Sequence, residues 1–329
     1  MMKDRIVWID WAKTILIYLM VVGHCFPVKW QGQLIYAFHM PAFFIISGFL
    51  YHQHDWKKTL KSFLIPILFF STINFFLYAL PKLLKGTFST DRLLERILIP
   101  FWGPGKLPSE EYIILFPGVW FVIVLMLSRL LIGDVKVFRF VTCYWKYVIC
   151  SIIVFLVIEP YIFPNNPLHV YKWFLVVPSL PFILLGYGFH DGLKLFIQKM
   201  TWRLFAVGVF LFVVISLQNG WAEILHYQWG ISYILFFLNA CLGSFLLFYL
   251  CSKFKQNRIV EVFSKGTLLI LAFNFILRVL ISILFIKISL NYIVNDHYAC
   301  PWIIGLLIML ICYWPIKLLL CNFPILLGK

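Results

Sequence analysis

The sequence predicts an all-α polytopic membrane protein, built as a bundle of about ten transmembrane helices. Of its 329 residues, 63% are hydrophobic and only 12% are charged, whereas a soluble globular domain carries roughly 25% charged residues. The mean hydropathy is +0.93. The hydrophobic residues form runs of about 18 to 24, the length that a helix needs to cross a hydrocarbon core of about 30 Å.

The ten predicted spans follow one another without room for a soluble domain between them, so residues 1–329 are predicted to form a single transmembrane domain. The longest connection, about 81–112, is predicted to hold a short helix lying at the membrane interface. No internal repeat is evident. The spans cover, in chain order, about 9–27, 33–51, 60–80, 113–132, 146–160, 173–190, 203–218, 229–251, 266–288 and 299–320.

The basic residues predict the orientation of the bundle. If the N-terminus is cytoplasmic, 18 Lys and Arg residues fall in cytoplasmic segments and 8 in external ones. This bias follows the positive-inside rule and predicts that both termini are cytoplasmic. The net charge of +15 is therefore attributed to topology and to contact with the anionic lipid bilayer, and no nucleic acid partner is predicted.

Eight cysteines are scattered along the chain without a C-x-x-C pair. Most of them lie within hydrophobic runs, where cysteine behaves as a small apolar residue. The spacing therefore indicates neither a metal site nor a disulfide framework. No cofactor is predicted. The first hydrophobic run contains Asp10 and Lys13 and lacks a small-residue cleavage site, which predicts a retained helix instead of a cleaved signal peptide.

The first span carries three polar residues on one face. Lys13 and Asp10 precede His24 by eleven and fourteen residues, which places both within about 40° of His24 around a helix axis. Such a stripe must face the bundle interior or a water-filled cavity, because contact with lipid is too costly. The alternative for His24 is a packed histidine with a single hydrogen bond.

The second span begins AFHMPAFFIISGFL, with His39 near its external end. His39 and His24 are therefore expected to approach each other across the first two helices, and a purely structural His39 is the alternative. The pair Ser47-Gly48 permits bending or close packing of the helix.

The third span opens with WKKTLKSFLIP, in which Lys58 and Lys61 are three residues apart. That spacing puts both side chains on one helix face, near a helix N-terminus that favours anions. The sequence predicts a phosphate-binding mouth on the cytoplasmic side. Ordinary positive-inside flanking is the alternative.

Three further positions are functional candidates. Asn274 and Arg278 are four residues apart in the ninth span, and a guanidinium inside the membrane needs a partner. Trp120 opens the segment GVWFVIVL and is predicted to lie at the membrane interface, as aromatic residues often do. Glu159, at the external end of the fifth span, either orients a histidine or faces water.

Several of these segments resemble the acyltransferase-3 family of bacterial integral-membrane proteins, in particular its sugar O-acetyltransferase branch related to fucose O-acetylases. The first-helix pattern of a basic residue, ten residues and a histidine is matched by KTILIYLMVVGH, Lys13 to His24, and the second-helix pattern by FHMPAFFIISGF. The basic-x-x-basic motif is matched by Lys58 and Lys61, where relatives commonly carry arginines. Trp120-Phe121 matches the start of the fourth helix. Asn274 stands where many relatives carry a histidine.

The resemblance implies a membrane acyltransferase that takes an acetyl group from acetyl-CoA and transfers it to a sugar hydroxyl. The acceptor would be a cell-envelope glycan, an exopolysaccharide or its lipid-linked precursor, and the location the bacterial cytoplasmic membrane. His24 would act as a general base or accept the acyl group transiently, with Lys13 and Asp10 setting its tautomer and local field. The oligomeric state is left open. The candidate site residues are His24, Lys13 and Asp10 for catalysis, Lys58 and Lys61 for acyl-CoA, and His39, Trp120, Asn274 and Arg278 for the acceptor.

Two other classes of protein share part of this pattern. A transporter or flippase for a glycan or a small acid would also bury charged residues in an even number of spans. Such proteins often contain repeats and interrupted helices in matching halves, and neither is evident here. A non-catalytic envelope assembly component would leave buried Lys13, His24 and Arg278 without a reason.

Overall fold

The structure is a computed structural model that describes residues 6–53, 55–87, 118–136, 139–163, 168, 171–289 and 296–329. Helices α1 to α7 span Val7–His24, Lys29–Tyr36, His39–Phe49, Trp56–Leu84, Val119–Arg129, Arg139–Cys143 and Trp145–Ile162. Helices α8 to α14 span Val176–Gly188, His190–Lys199, Trp202–Asn219, Tyr233–Cys251, Arg258–Lys265, Thr267–Lys287 and Cys300–Asn322. Strands β1, Ala222–Glu223, and β2, Gln228–Trp229, form a short antiparallel hairpin.

The predicted fold class is confirmed: the protein is an all-α polytopic membrane protein. Within the described residues, eight helices are long and apolar enough to cross a membrane. A ninth candidate is the pair Trp173–Gly188 and His190–Lys199, and Val119–Gly133 is a shorter apolar helix. Each of the ten predicted spans therefore corresponds to one of these helical segments.

Three spans differ from the prediction in their detail. The third span, which is helix α4, continues to Leu84 instead of ending near residue 80. The sixth span is broken, because its two helices meet at an angle of 72°. The second span is divided into α2 and α3, which begins at His39; Pro41 has no backbone N–H to donate and is tolerated best in the first turn of a helix. The helix expected within 81–112 lies almost wholly outside the described residues.

Helices α3 and α8 cross at two glycines. A Cβ atom added at Gly48 would lie 1.9 Å from the carbonyl oxygen of Ile183, and one added at Gly186 would lie 2.0 Å from the carbonyl oxygen of Ile45. The predicted role of Gly48 in close packing is confirmed, because no side chain fits between these two backbones. Glycine is the residue that membrane helices use for such close approach.

Helix α1 is the central helix of the bundle. Ile9, Ala12 and Leu16 belong to one hydrophobic cluster, and Ile17 and Met20 belong to a second one. Because α1 contributes buried residues to both clusters, the polar side chains on it are enclosed by other helices and not by lipid.

The bundle has a lower end and an upper end. The lower end contains the start of α1, the start of α4 and the turn Pro324–Leu327; Trp11, near the start of α1, donates a hydrogen bond to the carbonyl of Lys255 there, at 2.9 Å. The upper end contains His24 at the end of α1 and the β1–β2 hairpin. Tyr36 of α2 packs on Trp221, beside the hairpin, with ring centroids 5.0 Å apart.

Candidate functional site

His24 is held by a buried amide. Its Nδ1 lies 3.1 Å from Oδ1 of Asn274 on α13, and Nδ2 of Asn274 donates to the carbonyl of Leu271 at 2.6 Å. Because the amide nitrogen of Asn274 donates its hydrogen bond to that carbonyl, the amide oxygen is the atom that faces the imidazole. The proton of a neutral His24 ring therefore sits on Nδ1, and Nε2 carries the lone pair.

His39 has the same arrangement of its two ring nitrogens. It is 2% exposed, and its Nδ1 donates to the carbonyl of Ile35 at 2.7 Å. Within the described residues, no group is hydrogen-bonded to Nε2 of His24 or of His39. The two histidines line one cavity of about 30 Å³ together with Tyr36, Trp120 and Glu223. This space holds only a small polar group, since one water needs about 10–15 Å³.

A second cavity of about 310 Å³ lies below the first. Both cavities are lined by four apolar residues in common: Met20, Met40, Phe121 and Leu271. Half of the remaining lining residues are also apolar, and four basic residues reach the cavity: Lys13, Arg129, Lys265 and Lys329. Lys13 is eleven residues before His24, which is about 16 Å along the axis of α1.

A third cavity of about 450 Å³ forms a basic mouth at the lower end, lined by Lys58, Lys61, Arg129 and Lys329. Helix α4 begins here, with the carboxylate of Asp55 accepting a hydrogen bond from the backbone N–H of Lys57 at 3.2 Å. Ser62, Arg129, Gly328 and Lys329 line both the mouth and the second cavity. The three cavities therefore adjoin in a series from the lower end to His24.

Asp10 and Lys13 do not contact the His24 ring. Asp10 accepts a hydrogen bond from Ser264 Oγ at 2.6 Å, and it lies fourteen residues, or about 21 Å, from His24 along α1. It therefore joins α1 to α12 at the lower end. The residue that fixes the His24 tautomer is Asn274, for which the sequence predicts a role in binding the acceptor.

The other predicted positions lie near the upper end. Arg278 is stacked between aromatic rings, with its guanidinium carbon 4.7 Å from the ring centre of Phe26 and 5.0 Å from that of Phe275, so its partners are two π faces. Trp120 is 7% exposed and lines the His24 cavity, so it is not an interfacial aromatic. Glu159 is 1% exposed, so it does not face water, and it does not line the cavity of His24 and His39.

The cavity residues that the sequence does not predict include Tyr36, Arg129 and Glu223. Tyr36 and Arg129 carry no signal in one sequence, because tyrosines and arginines at helix ends are common in membrane proteins. The sequence contains a weak signal for Glu223. It is the only acidic residue between Asp191 and Glu261, and it lies close to a tryptophan in the segment GWAEILHYQW.

The comparison with protein families decides the class of protein. The family model described as an acyltransferase domain matches residues 6–318. The chain belongs to the acyltransferase-3 family. The comparisons with curated proteins and with solved structures gave no match. Membership of this family makes the protein a membrane acyltransferase and favours acyl transfer over the transporter interpretation.

Replacing Asn274 tests the role of its amide. Asn274→Leu removes the acceptor of the Nδ1 proton, and we expect kcat for acyl transfer to fall by about 10²-fold or more, since general-base catalysis contributes about 10²–10⁴-fold. The KM for the acyl donor should stay within a few-fold of the parent value. Steady-state kinetics of the purified protein measure both quantities.

A buried amide elsewhere in the bundle supplies the control. Asn239 of α11 donates to Ser216 Oγ of α10 at 2.8 Å and lines none of the three cavities. Asn239→Leu therefore loses a buried hydrogen bond without touching His24, and its kcat should be unchanged. Equal losses of kcat in the two variants would mean that Asn274 acts only through stability.

Proposed function

We propose that the protein transfers an acetyl group from acetyl-CoA to a hydroxyl group of a cell-envelope or exopolysaccharide sugar, or of its lipid-linked precursor. The observation that supports this most directly is the series of three adjoining cavities, which leads from a basic mouth through an apolar passage to His24. An acyl-CoA has the matching order of groups: phosphates, a long flexible arm and a thioester at its end.

The charge of the mouth fits the phosphates of the donor. Lys58 and Lys61 share one face of α4 next to Arg129, and the first turn of α4 adds the positive end of a helix dipole. Lysine interacts with phosphate as a point charge, whereas arginine forms a bidentate pair. In this proposal Arg129 supplies the planar guanidinium that the two lysines lack.

The middle cavity fits the arm of the donor. Its lining is mainly apolar, with Lys13 and Lys265 near its lower part; Lys265 is paired with Glu261 at 2.6 Å. Lys13 then faces the arm or the phosphates of the donor instead of the reacting atoms. An apolar passage also excludes water, which would otherwise compete with the acceptor for the thioester.

The chemistry is assigned to Nε2 of His24. The imidazole takes the proton from the acceptor hydroxyl as the hydroxyl oxygen attacks the thioester carbonyl. The carbon–sulfur bond then breaks, and the proton on the imidazolium passes to the departing thiolate. The products are the O-acetyl sugar and free coenzyme A, and the ring returns to its starting tautomer. His39 presents a second unoccupied Nε2 to the same cavity and would orient the acceptor.

The sugar acceptor and the bacterial cytoplasmic membrane rest on the resemblance of FHMPAFFIISGF and the other motifs to the sugar O-acetyltransferase branch. The lower end is assigned to the cytoplasm, where acetyl-CoA is made. Its basic mouth and the 18 to 8 distribution of basic residues support that assignment.

The double variant Lys58→Gln, Lys61→Gln tests the donor mouth. We expect weaker binding of acetyl-CoA and a smaller dependence of that binding on salt, because fewer charges remain to be screened. Titration of the purified protein at low and high ionic strength measures both effects. Lys253→Gln, Lys255→Gln changes the charge equally at the lower end but outside the cavities, and should bind acetyl-CoA like the parent protein. Identical binding of acetyl-CoA by the two double variants would show that Lys58 and Lys61 do not bind the donor.

His24→Gln tests the general base. Glutamine keeps a hydrogen-bonding side chain but cannot take the proton, so turnover should fall by about 10²–10⁴-fold while acetyl-CoA still binds. His190→Gln is the control, because His190 stacks on Phe49 away from the cavities. Turnover by the His24 variant close to that of the parent protein would show that His24 is structural.

Cysteine labelling tests the orientation. In a background where the exposed Cys143, Cys150 and Cys321 are changed to serine, a cysteine is placed at Gln256 near the lower end or at Gln228 in the hairpin, both exposed. A membrane-impermeant maleimide added to intact cells should label the second position and not the first. The opposite pattern would place the donor mouth outside the cell and contradict the assignment.

A further inference from the structure

The β1–β2 hairpin closes the upper side of the His24 cavity. Glu223, Ile224 and Leu225 all line that cavity. The hairpin is fixed from below by Asn219, which donates to the carbonyl of Trp229 at 2.9 Å and accepts from the N–H of Ile231 at 3.0 Å. The backbone that carries Glu223 is therefore held in place through the strand that pairs with it.

The carboxylate of Glu223 is satisfied on one oxygen only. Oε2 accepts from Trp221 Nε1 at 3.3 Å and lies 2.9 Å from Nδ1 of His226. Within the described residues, nothing donates a hydrogen bond to Oε1. Burial raises the pKa of this carboxyl, but the hydrogen bond and charge of His226 and the hydrogen bond from Trp221 outweigh burial and hold the pKa below its ordinary value. The group is an anion, 16% exposed, with an open oxygen beside the cavity.

Two aromatic rings stand beside this carboxylate. Trp221 packs against Tyr36 with ring centroids 5.0 Å apart, and Tyr36 contacts the edge of His39 at 5.2 Å. Trp221 is 36% exposed and lines a neighbouring cavity of about 580 Å³ together with Tyr227 and Gln228. The hydroxyl of Tyr36 also has no hydrogen-bond partner among the described residues, and it lines the cavity with His24.

The cavity is too small to explain acceptor recognition by itself. At about 30 Å³ it takes the reacting hydroxyl but not a sugar ring, since a single water already needs about 10–15 Å³. The groups that recognise the rest of the acceptor must therefore lie at its upper rim. Glu223 and Tyr36 line the cavity and have unused hydrogen-bonding capacity, and Trp221, which contacts both of them, has exposed ring surface.

We propose that Glu223, Trp221 and Tyr36 form the acceptor subsite, and that it selects a neutral polyhydroxylated ring over an anionic one. Oε1 of Glu223 accepts a hydrogen bond from the hydroxyl next to the one that His24 deprotonates, and Trp221 packs against the apolar face of the ring. A carboxylate or phosphate on the acceptor would meet the Glu223 anion and be repelled. This inference rests on the proposed function for the identity of the reaction, but acceptor binding can be measured without it.

Binding of methyl glucoside and of its carboxylate counterpart, methyl glucuronide, tests the subsite. The readout is the glycoside concentration that shifts the melting temperature of the full-length protein in detergent. The parent protein should bind the neutral glycoside more tightly than the glucuronide. Glu223→Gln should weaken binding of the neutral glycoside by about tenfold or more, the value of a hydrogen bond to a charged group, and should reduce the preference for it over the glucuronide.

His226→Gln separates binding from the structure of the hairpin. This variant removes a partner of the carboxylate but keeps Glu223 itself, so it should bind the glucoside as the parent protein does. A loss as large as that of Glu223→Gln would show that the hairpin, and not the carboxylate, is responsible, and would overturn the inference. No binding of glucoside by the parent protein, or equal binding of both glycosides, would overturn it as well.

The same set of proteins distinguishes this inference from the proposed function. His24→Gln should bind the glucoside normally but fail to acetylate it. If the glucoside binds through Glu223 and no acetyl group is transferred from acetyl-CoA by the parent protein, the subsite stands and the proposed reaction is wrong. If acetyl transfer occurs with an acceptor KM that Glu223→Gln leaves unchanged, the reaction stands and the subsite is wrong.

Discussion

The hydrogen bond between His24 and Asn274 is the interaction on which the candidate site depends. An imidazole enclosed by helices must satisfy its polar atoms, because an unpaired donor in an apolar interior costs about 1–3 kcal/mol. The amide of Asn274 satisfies one ring nitrogen and is itself fixed by a backbone carbonyl. The remaining nitrogen is left as an acceptor with nothing in the described protein to use it, which is the state that a general base requires.

The position of His24 along α1 determines how far the reacting atoms lie from the basic mouth. His24 ends the helix at the upper end, whereas Lys13 lies about 16 Å lower on nearly the same face. The apolar cavity occupies the length between them. A donor held by its phosphates at the lower end can therefore place a thioester at His24 only through an extended arm, and a molecule with a short arm would not span the distance.

The sequence predicted the local features of this arrangement and missed those that depend on tertiary contact. Span positions, the enclosed face of α1 and the paired lysines at the start of α4 follow from hydropathy and helical spacing, which each segment carries by itself. The division of the second span at Phe38 and the 72° bend after Gly188 depend on packing against neighbours. The partner of His24 could not be predicted either, since Asn274 is 250 residues away in the chain and spacing gives no information across that distance.

Glu223 is a second residue whose role could not be predicted from the sequence, because it depends on tertiary structure. Its isolation among apolar residues was visible, but only the hairpin brings it over a cavity that begins two hundred residues earlier in the chain. Among the described residues, the fold places Lys58, Lys61 and Arg129 at the lower mouth and Glu223 at the upper cavity of the same series. In the proposed reaction, the phosphates of the donor would be held by the cations at the lower end, and only its uncharged arm would reach His24. The acceptor would approach the same imidazole from the side of Glu223, where a second anionic group is disfavoured.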